Sequence, residues 1–115
     1  MKKITFLIIG LLFVFIQCAQ KQGIDFRTLA QQPNTAIIDV RTAEEFAAGH
    51  IPQSINIPLH ILLDSIEDLT EFDAIILICR SGNRSRQAKV LLQERGFENV
   101  FNGGGWEAFQ RRYLN

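Results

Sequence analysis

The chain is predicted to fold as an α/β domain with a mostly parallel sheet, and three observations carry that prediction. Two short continuous apolar runs, Thr35 to Val40 and Ala74 to Ile78, have the composition of strands buried on both faces. Stretches with helical spacing alternate with them, the clearest being Ala88, Leu91 and Leu92 before a stop at Gly96. Between elements the sequence is punctuated by single turn signals such as Gln32-Pro33-Asn34, so the connections are short. At 115 residues and 47% hydrophobic content the chain can bury the core of one ordinary domain and not of two.

The N-terminus stands apart from this pattern. Met1-Lys2-Lys3 followed by the apolar run Ile4 to Ile16 reads as the basic and apolar regions of an export signal, too short for the roughly 20 residues of a membrane span. Residues 1–22 are therefore set aside as leader and tether, and residues 23–115 as the folded domain. Phe15-Ile16-Gln17-Cys18 resembles a bacterial lipoprotein signal, in which Cys18 would carry lipid and Ala19 to Gly23 would tether the domain to a membrane. The alternative is an ordinary signal peptide cut nearby. Either way the expected location is the periplasm or cell envelope. Lys2, Lys3 and Lys21 fall before Gly23, leaving nine of the twelve basic residues against twelve acidic ones in the domain. That slightly acidic balance argues against nucleic acid as a partner.

In chain order, a very short strand is expected around Ile24, with Asp25 capping a first helix through Phe26 and Leu29. The strand Thr35 to Val40 leads to Thr42-Ala43-Glu44-Glu45, whose spacing is that of a capping box opening a helix that ends at Gly49. Ser54 to Ile57 is the next strand, ended by Pro58, and Leu59, Leu62, Leu63 and Ile66 share one face of a helix over Leu59 to Leu69. After the Ala74 strand and the helix from Arg86, Phe97 to Phe101 supplies a last strand and Asn102 to Gly105 a turn. Trp106, Phe109 and Tyr113 are the apolar stripe of a closing helix, read as core.

The chemistry gathers at Cys79-Arg80-Ser81-Gly82-Asn83-Arg84-Ser85, between the Ala74 strand and the helix after it. Unpartnered N–H groups in such a loop and at the helix start favour an anion, and Arg80 and Arg84 add two full charges. Helix N-termini and nearby cations lower a cysteine from near ~8.5 to roughly 3.5–7.5, so Cys79 is expected to be a thiolate nucleophile. With Cys18 acylated or removed, Cys79 is the single thiol of the domain, unusual for an exported protein unless reactive. A buried cysteine acting as a small hydrophobe is the bland alternative. Asp39 and Arg41 sit where strand gives way to loop, fitting either a functional or a structural role. His50 fits a general base less well than a turn-fixing residue in Gly49-His50-Ile51-Pro52. No zinc-type cysteine spacing is present.

Cys79 to Ser85, with Asp39-Val40-Arg41 and Gly49-His50-Ile51-Pro52 before it and Asn102-Gly103-Gly104-Gly105-Trp106 after it, resembles a single rhodanese domain from about Asp25 to Tyr113. The resemblance implies a three-layer fold of five mostly parallel strands with helices on both faces. It also implies that Asp39 and Arg41 tie the core to the active-site side by ion pairing. The implied reaction is sulfane-sulfur transfer through a Cys79 persulfide, with no metal or organic cofactor. A small anionic donor such as thiosulfate would be held by Arg80, Arg84 and the Ser81, Gly82, Asn83 and Ser85 cradle, and a thiol or cyanide would accept the sulfur. Two other readings are a non-catalytic persulfide-binding or partner-docking module and a cysteine phosphatase. The phosphatase pattern needs five residues between cysteine and arginine, whereas Arg84 follows Cys79 after four.

Overall fold

A computed structural model describes residues 23–115, so the leader and Cys18 lie outside the described residues. Within them, strands β1 (Thr35–Asp39), β2 (Ile55–Asn56), β3 (Ala74–Cys79) and β4 (Val100–Gly105) form one sheet in the order β2-β1-β3-β4. All three pairings are parallel, with Ile38 beside Leu77 and Ile75 beside Val100. The two runs read as buried strands occupy the centre, where every residue of β3 is buried.

Side chains alternate along β3 and divide the core in two. Ile75, Leu77 and Cys79 join Ile38, Leu62, Leu69, Ala88 and Leu92 on one face. Ile76 and Ile78 join Ile37, Ile51 and Phe109 on the other, with Phe26, Leu29, Trp106 and Tyr113 packed against them. This is the expected three-layer arrangement, and the Trp106, Phe109 and Tyr113 stripe is core as read.

Helix α1 (Phe26–Ala30) starts where Asp25 Oδ1 accepts the Thr28 N–H at 3.2 Å. Helix α2 (Ala43–Ala48) has the full capping box: Thr42 Oγ1 accepts the Glu45 N–H at 3.2 Å, and Glu45 Oε1 accepts the Thr42 N–H at 3.3 Å. Both follow the sequence reading.

Four details differ from it. The described residues form four strands rather than five, because Ile24 is half exposed and pairs with nothing. Leu59–Ser65 is a 3₁₀ segment continued by the short helix α3 (Ile66–Leu69); three-residue spacing puts Leu59 and Leu62 on one face in either geometry. The last strand begins at Val100 and takes in the glycines read as a turn. Its pairing slips between Leu77–Asn102 and Ile78–Gly104, which leaves Gly103 as a bulge. A Cβ there would come 2.9 Å from the side chains of Ile76 and Ile78, so glycine is what lets β4 lie against the core. Finally, helix α4 (Asn83–Glu94) begins three residues earlier than expected, which changes the site. The chain closes with α5 (Trp106–Phe109) and a wider turn over Gln110–Leu114.

Candidate active site

Strand β3 carries Cys79 to the C-terminal edge of the sheet, and only Arg80, Ser81 and Gly82 separate it from α4. Reversal in so few residues needs a left-handed residue, and Gly82 supplies it at φ 101° as the N-cap of α4. The Arg86 N–H then bonds to the Gly82 carbonyl at 3.1 Å, closing the first turn. Asn83, Arg84 and Ser85 thus form a helix start rather than a loop; their polar composition hid it. The neighbouring strand presses close, since a Cβ on Gly105 would lie 2.7 Å from the Arg80 carbonyl oxygen.

The Cys79 sulfur is held from this turn. The Gly82 N–H donates to Sγ at 3.0 Å, and the Ser85 hydroxyl oxygen lies 3.4 Å away on the buried side. Cys79 is 1% and Ser85 0% exposed. Burial pushes the thiol pKa up, but the Ser85 hydroxyl and the N–H groups of Ser85, Gly82 and Ser81 outweigh it and bring the value below that of an ordinary thiol. Of those N–H groups only that of Gly82 has hydrogen-bond geometry to the sulfur; the other two act as nearby dipoles.

The two arginines expected to activate the thiol are not its main support. Arg84 donates both terminal nitrogens to Glu45, at 2.6 and 2.9 Å, and is partly neutralised there. The Arg84 guanidinium in turn draws the Glu45 carboxyl down to about 2. Hydrogen bonding to Glu45 is likewise the largest influence raising the Arg84 pKa, with the negative charges of Cys79 and Asp39 adding less. The Arg80 side chain is exposed and makes no hydrogen bond or ion pair among the described residues. With Arg41, Glu45, Trp106 and Glu107 it lines a hollow of about 270 Å³. Ser81 and Asn83 are exposed too, and Asn83 Oδ1 accepts from Arg86 at 3.0 Å. The turn therefore brings together Cys79, Gly82 and Ser85, and leaves the side chains of Arg80, Ser81 and Asn83 at the surface.

Asp39 and Arg41 are both buried and paired. Arg41 donates Nε to both Asp39 oxygens at 3.0 Å and Nη2 to Oδ2 at 2.7 Å. Its Nη2 also reaches the Gly49 carbonyl at 2.7 Å, and its guanidinium lies 4.7 Å from the centre of the Trp106 ring. One buried pair thus joins β1, the end of α2 and the start of α5. His50 donates Nδ1 to the Phe46 carbonyl at 2.7 Å and stacks on the Phe46 ring at 3.7 Å, which makes it a turn-fixing residue.

Two neighbours of the site were missed in the sequence. Glu45 was read only as part of a capping box, although its carboxylate serves Arg84 as well. Asn102 was read as turn; its Oδ1 accepts the Ser85 hydroxyl at 2.7 Å and its Nδ2 donates to the Gly82 carbonyl at 3.2 Å. Its pairing with Leu77 is what turns it toward α4, and no single-sequence pattern gives the register of a parallel pair.

The site is thus a parallel α/β sheet that presents a thiol, contacted by one N–H and one hydroxyl, at a strand-to-helix turn. The sequence model described as the Rhodanese-like domain matches residues 24–112, and the chain belongs to that family. It is 33% identical over 87 residues to a sulfurtransferase of Allochromatium vinosum, covering 75% of this chain and 81% of that one. Identity is 30% over 84 residues to the thiosulfate sulfurtransferase GlpE of Pseudomonas savastanoi pv. phaseolicola, covering 72% and 79%. Among solved structures, a rhodanese with anions from E. coli aligns with a TM-score of 0.60 at 35% identity, over 64% of this chain and 88% of that one.

Proposed function

We propose that the domain is a sulfurtransferase that takes the outer sulfur of an anionic donor such as thiosulfate onto Cys79 and passes it to a thiol or cyanide. The observation that carries this reading is the Cys79 sulfur, set at the start of α4 with the Gly82 N–H and the Ser85 hydroxyl on it. The names of two relatives, a sulfurtransferase and a thiosulfate sulfurtransferase, support it. In the first half, the Cys79 thiolate attacks the outer sulfur of thiosulfate; the S–S bond of the donor breaks and sulfite leaves with the bonding pair. In the second, cyanide attacks the terminal sulfur of the persulfide anion, and thiocyanate and the thiolate separate. Neither half needs a proton moved, so the demand on the site is anion stabilisation, which loop N–H groups and a guanidinium provide. The basic and apolar leader supports a location outside the cytoplasm, with Cys18 as the point of lipid attachment.

The test is mass spectrometry of the domain, intact and after digestion to peptides. Thiosulfate should add the mass of one sulfur atom to the peptide containing Cys79, and cyanide should remove it with release of thiocyanate. A domain that gains no sulfur and forms no thiocyanate above the uncatalysed rate would rule the reading out.

In this reading Arg84 is the cation assigned to the donor, and it would act while bound to Glu45. Arg84→Ala is expected to lower kcat/KM for thiosulfate by about 1.5–3 kcal/mol, the scale of a charge-assisted hydrogen bond. The pH midpoint of Cys79 alkylation should move little, since Glu45 already offsets the arginine charge. Unchanged thiosulfate kinetics would remove Arg84 from the donor site.

A further inference from the structure

We propose that Asn102 is a positioning residue that decides whether the Ser85 hydroxyl turns toward the Cys79 sulfur, and so sets the balance between thiol and thiolate there. The inference rests on Cys79 being the nucleophile and adds a control to that same site. Ser85 Oγ is fully buried and has one proton but two neighbours that can take it: Cys79 Sγ at 3.4 Å and Asn102 Oδ1 at 2.7 Å. The orientation of the Asn102 amide is fixed, because its Nδ2 donates to the Gly82 carbonyl at 3.2 Å and its Oδ1 accepts the Gly104 N–H at 3.0 Å. The oxygen must therefore face Ser85.

Two states follow. With Cys79 protonated, Ser85 donates to Asn102, and the thiol can donate its own proton to Ser85 Oγ. When the thiol proton leaves for solvent, the hydroxyl swings from Asn102 to the sulfur anion. Asn102 Oδ1 keeps the Gly104 N–H, so no buried acceptor is orphaned by the swing. Asn102 thus competes with the thiolate for one proton and stabilises the thiol state by the bond that must be broken. The charged groups around this chain of bonds are Arg84 of α4, paired with Glu45 of α2, and Asp39 of β1, paired with Arg41; Arg80 is exposed on the turn. All remain in place when Asn102 is changed.

The rate of Cys79 alkylation against pH reads the balance directly, and it needs no sulfur donor. A null result in sulfur transfer and a null result here are therefore separate findings. Ser85→Ala should slow alkylation below the midpoint, because it deletes the donor. Asn102→Ala should do the opposite, raising the rate about three- to tenfold as one net hydrogen bond to the thiol state is lost. Asn102→Asp keeps an acceptor for Ser85 and Gly104 but loses the donor to the Gly82 carbonyl, and it should slow alkylation. In a Ser85→Ala background the Asn102→Ala effect should vanish and the Asn102→Asp effect should shrink to that of the added charge. If Asn102→Ala slows alkylation as Ser85→Ala does, or if its effect persists without the Ser85 hydroxyl, Asn102 merely braces the turn and the proposal fails. Should Asn102→Ala not fold, an Asn102→Asp effect of the same size with and without Ser85 would overturn it equally.

Discussion

Replacing Cys79 with serine is expected to abolish sulfur transfer while leaving the fold intact. Oxygen for sulfur at a buried position keeps an acceptor for the Gly82 N–H and a neighbour for the Ser85 hydroxyl, so no polar group is orphaned. The melting temperature should stay near that of the parent. Activity should not, because a serine hydroxyl does not ionise near neutral pH and the turn holds no general base to activate it. Deleting a covalent nucleophile acts on the scale of 10⁴-fold or more, so thiocyanate formation should fall to the uncatalysed rate. The sign of the pH dependence follows from the same site. Burial raises the Cys79 pKa, but the Ser85 hydroxyl and the surrounding N–H groups bring it below the ordinary thiol value. The parent's activity should thus rise with pH and level off earlier than the titration of a free cysteine would allow. Comparable thiocyanate formation by Cys79→Ser would defeat the assignment of the nucleophile.

What the sequence disclosed about this site follows a physical division between local and non-local information. The continuous apolar run Ala74 to Ile78 announced a buried central strand because burial on both faces leaves no alternation to confuse the pattern. Thr42 and Glu45 announced a helix start because a capping box is a contact between residues three apart. The start of α4 was read three residues late for a related reason: Asn83, Arg84 and Ser85 are polar, and an N-terminal turn capped by a left-handed glycine carries no side-chain cap to mark it. The partner of Arg84 could not be read at all, since Glu45 lies 39 residues away on another helix. The same holds for Asn102, which meets Ser85 across 17 residues because its pairing with Leu77 sets it on the face of the sheet that α4 covers. The cysteine and its turn were legible; the residues from other elements that contact the turn were not.

The largest loss of stability is expected from Asp39→Ala. Asp39 is fully buried at the end of β1, and Arg41 is 4% exposed with Nε and Nη2 on its carboxylate. Removing the carboxylate leaves a guanidinium in the interior with the Gly49 carbonyl, the Trp106 ring and a long 3.4 Å contact to the Glu45 carbonyl as its remaining partners. Neutral acceptors and a ring face do not replace a carboxylate. Breaking a buried pair from one side costs about 3–5 kcal/mol, a large fraction of the roughly 5–15 kcal/mol that holds a domain folded. The Arg41 N–H also loses its acceptor, Asp39 Oδ1 at 3.0 Å. Denaturant unfolding should show the loss as a lower midpoint with an unchanged slope. Changing Arg41 to Met together with Asp39→Ala should recover much of it, because an apolar side chain fills the place of the stranded charge. Where Asp39→Ala is still folded, the alkylation midpoint of Cys79 should lie close to that of the parent, since the sulfur's stabilising contacts come from Gly82 and Ser85. A destabilisation below about 1 kcal/mol would mean that water reaches Arg41 and that the pair is not the clamp between β1, α2 and α5 that its burial indicates.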